Sequence, residues 1–379
     1  MKIAMIGHKR IPSREGGIEI VVEELAVRMA AQGHQVDVYN RKGKNVADAK
    51  ADLDAHKLKE YKGVRLIWIP TFEKKSLNAI VYAFNATIRA LFGHYDVIHY
   101  HAEGPCAMLP IAHLFGIRTV ATIHGLDWQR AKWGGFATKF LLFGEKMAAK
   151  YADEIIVLSK NVQKYFKETY NRDTNYIPNG VNIPEPKEPN IITKKYGLEK
   201  DSYILFLARI VPEKGLHYLI EAYKGIQTDK KLVIAGGASH SGEYMHQIEE
   251  MVKGQDNIVM TGFVQGEELE ELFSNCFLYV LPSDVEGMPI SLLEAMSYGR
   301  QCLVSDIEEN VEVLADRECL FRQGNVNDLQ KRLFFWLKQN HKVDFVDYSI
   351  ILNRYNWIQI IDKTLVLYEH ECKEKRGEN

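Results

Sequence analysis

At 379 residues the chain exceeds what a single hydrophobic core usually serves, so two domains are expected. Hydrophobic residues at 46% and charged residues at 26% exclude a disordered or membrane-embedded chain, and a formal net charge of −2 argues against nucleic acid as the main partner. Cys106, Cys276, Cys302, Cys319 and Cys372 are scattered, odd in number and without a Cys-x-x-Cys, which reads as reduced thiols in a cytoplasmic protein. The apolar start Met1–Gly7 is too short for a signal peptide and reads as a first strand. No apolar stretch reaches the roughly 18 residues of a membrane span, so any membrane contact is from the surface.

Strands and helices alternate from the first residues. Apolar runs predict strands at Ile3–Ile6, Val36–Tyr39, Val64–Ile69, Val97–Tyr100, Thr119–Ile123 and Ile155–Leu158. Between the first two, apolar residues at 18, 21, 22, 25, 26, 29 and 30 give the spacing of an amphipathic helix over Ile18–Ala31, ended by Gly33. The stretch Ile183–Pro189, with three prolines in seven residues, reads as an extended linker. Alternation then restarts: a strand at Tyr203–Leu207, a helix from Pro212, a strand at Leu232–Ala235 and a helix from Glu243. A strand at Ile258–Thr261, a helix from Glu267, a strand at Leu278–Leu281, a helix from Pro289 and a strand at Cys302–Val304 complete it. Such alternation implies parallel sheets covered on both faces. The final stretch, about Tyr348 to Glu371, is helical in pattern; Tyr355, Trp357, Ile360, Ile361, Leu365 and Leu367 would not be carried by a solvent-exposed tail.

The densest information lies in Pro282-Ser-Asp-Val-Glu286-Gly-Met-Pro-Ile-Ser-Leu-Leu-Glu294-Ala-Met-Ser-Tyr-Gly299. A strand ends in a loop bearing one carboxylate, and a helix opening at Pro289 bears a second. Backbone N–H groups around Met288 to Ser291 form an anion site between them. Carboxylates accept hydrogen bonds from hydroxyls and a helix N-terminus accepts phosphate, so a nucleotide sugar fits this layout. Two further features are open on residues alone. Gly16-Gly17 either lets the backbone approach a phosphate or acceptor at a helix N-terminus or makes an ordinary tight turn. The dinucleotide fingerprint is absent, since Gly7 is followed by His-Lys-Arg and the next strand ends in Asn40-Arg41 rather than an acid.

The Glu-x7-Glu element, with its Pro282-Ser283 lead-in and Glu294-Ala-Met-x-x-Gly299 ending, resembles the donor-binding signature of retaining glycosyltransferases of the glycogen-synthase-like, GT-B class, in particular the bacterial family 4 enzymes. The resemblance covers nearly the whole chain and is strongest from 203 to 306. The opening Ile6–Pro12 and Gly16-Gly-Ile-Glu19 are similar to bacterial polysaccharide-assembly transferases, including rhamnosyltransferases.

The resemblance implies an α/β GT-B fold of two doubly wound, Rossmann-like parallel-sheet domains facing a cleft. Residues 1–182 would form an acceptor-binding domain and 190–345 a donor-binding domain, with a C-terminal helix, 348–371, crossing back. Arg209 and Lys214, at the end of the Tyr203–Leu207 strand, look like the pair that grips the donor diphosphate. The competing reading is an ion pair of either with Glu213. Glu286 would bind sugar hydroxyls, Glu294 the ribose, Gly287 to Ile290 would line the phosphate and sugar, and Gly262, Phe263 and Val264 would read the base. Gly16 and Gly17 would close over donor phosphate and acceptor. His124, at a strand end before Gly125, would contact the sugar near its anomeric carbon, with Asp127 orienting it or touching the acceptor. The catalytic set is then His124, Glu286, Arg209 and Lys214. Retention needs no enzyme nucleophile, because the departing diphosphate helps deprotonate the acceptor.

No cofactor or metal is implied beyond a nucleoside-diphosphate sugar as co-substrate. Asp52-Leu-Asp54 mimics a metal motif of other glycosyltransferases but lies in a charged helical stretch and reads as a solvated face. His99 and His101, on one face of a strand, read as lining or supporting the cleft rather than binding metal. On the acceptor side, Asp127, Trp128, Arg130 and Trp133 precede a segment in which Phe136, Phe140, Phe143 and Met147 follow helical spacing beside Lys139, Lys146 and Lys150. This segment either docks on anionic lipid and a lipid-linked acceptor or faces the core with a solvated basic edge. Trp128 and Trp133 either stack on acceptor sugar or pack.

Met288-Pro289, Gly299-Arg-Gln301 and Gly236-Gly237-Ala-Ser-His240 depart from the commoner family forms and leave sugar and base open. The expected activity is transfer of a hexose or deoxyhexose to a growing, polyprenyl-linked cell-surface glycan, at the inner face of the plasma membrane. The alternatives are a nucleotide-sugar 2-epimerase on the same fold, which needs no acceptor, and a non-catalytic donor-binding subunit of a glycan-assembly complex.

Overall fold

The computed structural model describes residues 1–43, 58–72, 75–129, 135–237, 242–338 and 345–369. The chain divides into two compact units: unit 1 is Met1–Gly180 together with the chain from Trp357 onward, and unit 2 is Val181–Asn356.

Unit 1 holds β1 (Lys2–Ile6), β2 (Gln35–Lys42), β3 (Glu60–Tyr61), β4 (Val64–Pro70), β5 (Val97–His101), β6 (Arg118–Ile123), β7 (Glu154–Val157) and β8 (Asn175–Tyr176). They form one sheet in the order β3-β4-β2-β1-β5-β6-β7-β8, parallel throughout except for the β3–β4 pair. Every residue of β5 and β6 is buried, as expected when helices cover both faces of a parallel sheet. The chain builds outward from β1 to β4, then returns to β5 on the other side of β1. Ligands of open α/β sheets bind outside the carboxyl ends of the strands at such a reversal. Here that point lies between the ends of β1 and β5. Gly7 follows β1 with φ +131°, and a Cβ there would overlap the carbonyl oxygen of His101. The glycine therefore lets the two strand ends touch.

Unit 2 holds β9 (Tyr203–Leu207), β10 (Lys231–Ala235), β11 (Ile258–Gly262), β12 (Leu278–Leu281), β13 (Cys302–Ser305) and β14 (Leu320–Phe321). The order is β11-β10-β9-β12-β13-β14, all parallel, with the reversal between β9 and β12. Alternation along β9 supplies both layers: Tyr203 and Leu205 enter one core, Ile204 and Phe206 the other. The predicted helix from Pro212 is displaced. Pro212–Lys214 form a single 3₁₀ turn, Gly215 adopts a left-handed conformation (φ +64°), and the α-helix runs over Leu216–Lys224.

The proline-rich Ile183–Pro189 stretch has no helix or strand, as expected, but it is anchored to unit 2. Lys187 N–H donates to Ser274 Oγ (2.9 Å), and the Asn275 amide donates to the Lys187 carbonyl (2.9 Å). The C-terminal stretch is not one helix. Ser349–Leu352 and a 3₁₀ turn at Asn353–Tyr355 belong to unit 2, whose core takes Leu352 and Tyr355; the chain is extended at Asn356. Only the helix Trp357–Glu369 packs back on unit 1, against the Gly17–Ala31 helix and β6, and residues 370–371 lie outside the described ones. Trp357 covers Gly180, where a Cβ would overlap the indole, and the Arg118 guanidinium donates to the Leu367 carbonyl at the helix end (2.9 and 2.6 Å).

Three almost fully buried histidines stand near the carboxyl ends of the central strands of unit 1: His8, His99 and His101. Burial pulls the pKa of His8 down to about 4 and that of His99 to about 3, and it lowers His101 well below its ordinary value. All three are neutral in the folded chain and become protonated once unfolded below about pH 6.5. Each therefore contributes stability that is complete above that pH and falls by about 1.4 kcal/mol per unit as pH drops toward its folded pKa. Urea unfolding, followed through hydrogen exchange of the β5 amides, should show a steep loss of stability between pH 6.5 and 4.5. A flat profile there would mean that these imidazoles are not held neutral.

Candidate functional site

In unit 2, two loops leave the carboxyl ends of β9 and β12, and backbone contacts lace them together. The Asp284 and Val285 N–H groups donate to the Glu213 carbonyl (2.9 and 3.4 Å). Gly215 lies so near that a Cβ would overlap the Pro282 carbonyl, a second close approach that only glycine permits. Tyr218 O–H donates to the Asp284 carboxylate (3.2 Å), and Gln323 donates to the Asp284 carbonyl (3.0 Å).

This lacing delivers Lys214 onto Glu286: the ammonium and the carboxylate form a direct, largely buried ion pair, their side chains 15% and 6% exposed. Ser283 O–H donates to the same Glu286 oxygen (2.7 Å). Ser305 Oγ in turn donates to the Ser283 carbonyl (2.5 Å), and the Asn310 amide donates to Ser305. The competing reading, an ion pair of Lys214 with Glu213, is not what forms. The Glu213 carboxylate is buried, and neither of its oxygens has a hydrogen-bond partner among the described residues.

The helix after Glu286 runs over Ile290–Ser297 with Pro289 as its cap residue, and Glu294 stands half-buried on its second turn. One expected donor of the anion site is already used, since Ile290 N–H donates to the Met288 carbonyl (3.0 Å). Gly287 and Pro289 are buried, and Met288 packs against the core. Arg209 is half-buried just beyond β9. At the end of β11, Gly262 takes φ +72° and its carbonyl accepts from Gly236 N–H (2.8 Å). Phe263 presents its ring to solvent (43% exposed), whereas the Val264 side chain belongs to the core, leaving only its backbone to meet a ligand.

In unit 1, Gly16 caps the Gly17–Ala31 helix, but the chain's own Glu19 faces that N-terminus. Its carboxylate accepts from Lys9 N–H (2.9 Å) and lies where a Gly16 Cβ would be. Burial opposes the charge of Glu19, yet the Lys9 N–H and the Lys9 ammonium outweigh it and lower its pKa. A phosphate arriving at Gly16-Gly17 would thus meet the Glu19 carboxylate beside the turn. Glu19 stands where a capping-box acid stands, three residues past the cap, a signal present in Gly16-Gly-Ile-Glu19.

His124 follows β6, is 7% exposed, and shares a hydrogen bond between its Nε2 and His101 Nδ1 (3.1 Å). Asp127 opens a 3₁₀ turn, and its N–H is received by both oxygens of buried Glu103 (3.0 and 3.2 Å). Trp128 is held as a packed residue: its indole N–H donates to Glu145 (3.1 Å), which also accepts from the hydroxyls of Tyr165 (2.8 Å) and Tyr170 (2.5 Å). The roles of Glu103 and Glu145 as hydrogen-bond acceptors were not readable from the sequence, because an isolated acid carries no spacing signal. Arg130, Trp133 and Asp52-Leu-Asp54 lie outside the described residues.

The helix Gly135–Tyr151 buries Leu141, Gly144, Glu145 and Ala148 and exposes Phe136, Lys139, Phe143, Lys146 and Lys150. The apolar set at 136, 140, 143 and 147 is therefore not the core-facing side: Phe136 is 71% and Phe143 48% exposed. Among the described residues, no group of histidines, cysteines and acids is arranged to hold a metal, and no helix is long and apolar enough to cross a membrane.

Two family models match successive parts of the chain: Glycosyltransferase Family 4 over residues 15–184 and Glycosyl transferases group 1 over residues 189–349. An uncharacterized glycosyltransferase of Methanocaldococcus jannaschii is 26% identical over 336 residues, 83% of each chain. The UDP-Gal:alpha-D-GlcNAc-diphosphoundecaprenol alpha-1,3-galactosyltransferase of Escherichia coli is 28% identical over 233 residues, 57% of this chain and 59% of that enzyme. The sucrose-phosphate synthase structure from Thermosynechococcus elongatus superposes with a TM-score of 0.83 at 21% identity, covering 97% of this chain and 98% of that one, a likeness of fold. The chain belongs to the group 1, family 4 glycosyltransferases and has the GT-B fold of two parallel-sheet α/β units.

Proposed function

We propose that this enzyme is a retaining, metal-independent transferase that moves a hexose or deoxyhexose from a nucleoside-diphosphate sugar to a polyprenyl-linked glycan. The observation that carries this reading is the buried Lys214–Glu286 pair at the strand reversal of unit 2, with Arg209 on the same loop and Glu294 one helix turn beyond. Breaking the bond from the anomeric carbon to diphosphate leaves negative charge on the diphosphate and positive charge on the sugar. Arg209 offers a bidentate fork and Lys214 a point charge to the first. These two cations are the reason no metal is invoked. Glu286, released from Lys214 as the diphosphate takes its place, accepts hydrogen bonds from sugar hydroxyls, and Glu294 accepts from the ribose. The backbone at Gly262, Phe263 and Val264 meets the base, and Gly287 to Ile290 line the sugar and phosphates. His124 contacts the sugar near its anomeric carbon. The departing diphosphate takes the acceptor proton on the face it leaves, which retains configuration.

The polyprenyl acceptor is supported by the diphosphoundecaprenol substrate named for the Escherichia coli relative and by the exposed stripe of the Gly135–Tyr151 helix. Positions 136, 139, 143, 146 and 150 fall on one helical face that alternates phenylalanine with lysine and carries no acid. Such a face suits an anionic bilayer surface, at the inner leaflet of the plasma membrane. Asp127, with Trp128 packed, would meet the acceptor near this face.

Two experiments test these readings. Release of nucleoside diphosphate from a panel of UDP-, GDP-, dTDP- and ADP-sugars, without acceptor and with EDTA, should single out one donor and be unaffected by chelation. Glu286→Gln should lower that turnover by about a hundredfold or more while the variant remains folded; undiminished turnover would remove Glu286 from the site. Flotation with vesicles should show binding to anionic but not zwitterionic lipid. Replacing Lys139, Lys146 and Lys150 by Gln should weaken it by about a hundredfold, at about 1 kcal/mol per lysine; equal flotation of both proteins would dismiss the membrane face.

A further inference from the structure

We propose that His101 is a positioning residue that decides which nitrogen of His124 carries the proton, holding His124 in the tautomer with an acceptor at Nε2 and N–H at Nδ1. The inference rests on the reading of His124 as the residue that contacts the donor sugar.

The two imidazoles share one hydrogen bond, Nδ1 of His101 to Nε2 of His124 (3.1 Å), with ring centroids 5.4 Å apart. Either ring can supply the proton, and surroundings choose between the two arrangements. His101 is fully buried and its other nitrogen, Nε2, has no hydrogen-bond partner among the described residues. If His124 donated, neutral His101 would carry its proton on Nε2 and strand a buried N–H. If His101 donates from Nδ1, only an acceptor lone pair is left at Nε2. Orphaned buried N–H groups are the rarer defect, so the second arrangement is favoured. A doubly protonated His101 is disfavoured by its burial and by His99, His124 and His8 around it.

His101 has little freedom to turn away. The His99 ring lies against it at 4.0 Å, and that ring is fixed at both ends, by Tyr368 O–H at Nδ1 (2.6 Å) and Thr122 Oγ1 at Nε2 (2.6 Å). Gly7 rests on the His101 backbone. Beyond it Ala102, at φ +71°, donates to the Thr122 carbonyl (2.9 Å), and Glu103 grips Asp127 N–H in the loop that follows His124. His101 is thus held by its strand, and the turn after His124 by Glu103.

The chemistry explains why the tautomer matters. With Nε2 accepting from His101, the other nitrogen of His124 is an N–H donor and not a base. A second proton at Nε2 would meet the His101 N–H head-on, so the ring stays neutral. A neutral donor can hold a hydroxyl of the sugar without setting a cation beside an anomeric carbon that is itself becoming positive.

The test is histidine 15N NMR on the full chain, with His124 and His101 assigned from His124→Ala and His101→Phe. Nε2 of His124 should show the shift of an unprotonated nitrogen and its Nδ1 that of an N–H, while His101 shows the same pattern, Nδ1 protonated and Nε2 bare. A protonated Nε2 on His124 in the wild type would overturn the proposal. In the nucleoside-diphosphate release assay, His101→Phe should lower kcat by about tenfold with donor KM little changed, and His101→Asn, whose amide can donate where Nδ1 did, should restore most of the loss. In the His124→Ala background His101→Phe should cost nothing more; an equal further loss would make His101 merely structural. If His124→Ala alone kept full activity, the reading of His124 would fail, while the NMR result would still decide whether His101 sets its tautomer.

Discussion

The functional end of unit 2 depends on one backbone acceptor. The Glu213 carbonyl takes the N–H groups of Asp284 and Val285 and so ties the loop after β9 to the loop after β12. In a parallel sheet these loops leave neighbouring strand ends in the same direction, but nothing in the sheet ladder fixes their mutual register beyond Leu207 and Leu281. The Glu213 contacts, together with the close approach of Gly215 to Pro282, supply that register. Lys214 and Glu286 then meet although 72 residues separate them in the sequence. Without the tie, two opposite charges would have to pay desolvation separately; with it, each is the other's compensation. A buried ion pair of this kind is poor evidence for stability but good evidence for a place where a charged ligand can exchange with one partner.

Unit 1 uses the same topological position with the opposite chemistry. At its strand reversal the chain gathers His8, His99 and His101, and burial keeps all three neutral. The helix from Trp357 completes this layer: Tyr368 reaches His99 from 269 residues away in the sequence. The returning helix therefore does more than cover apolar surface, because one of its hydroxyls fixes the His99 ring that lies against His101.

Most of this architecture was legible as pattern. β9 and β12 coincide with the apolar runs that announced them, and the remaining long strands differ by one residue at their ends, except β2, which runs three residues past Tyr39. The two-residue strands β3, β8 and β14 are too short to show a period and were not foreseen. The break at Asn356 was also hidden. Apolar spacing runs on from Ile351 through Leu365, and nothing local says that Tyr355 faces one unit and Trp357 the other. Among site residues, Arg209, Lys214, Glu286 and Glu294 stand at strand ends and a helix start, where spacing and residue type speak together. Ser283, Glu103, Glu145 and His101 act through partners 3 to 25 residues away whose proximity only the folded chain creates. The Glu19 carboxylate at the Gly16 turn lies between these cases, since its spacing was visible but its reach back to Lys9 was not.

The contrast between the two units follows from the charge that the proposed reaction creates. A departing diphosphate gathers negative charge, and the strand reversal of unit 2 offers it a guanidinium and an ammonium. A sugar losing that group gathers positive charge, and a cation presented to it would raise the barrier by the same Coulomb law that lowers it at the diphosphate. Hydrogen-bond donors that carry no charge avoid that conflict. Imidazole is the side chain that can donate while neutral yet is easily protonated near neutrality, so its neutrality has to be enforced. Full burial enforces it at His101, and in the proposed tautomer the His101 N–H facing Nε2 enforces it at His124. The acid sensitivity of three buried histidines is then the stability cost of keeping that corner of unit 1 uncharged.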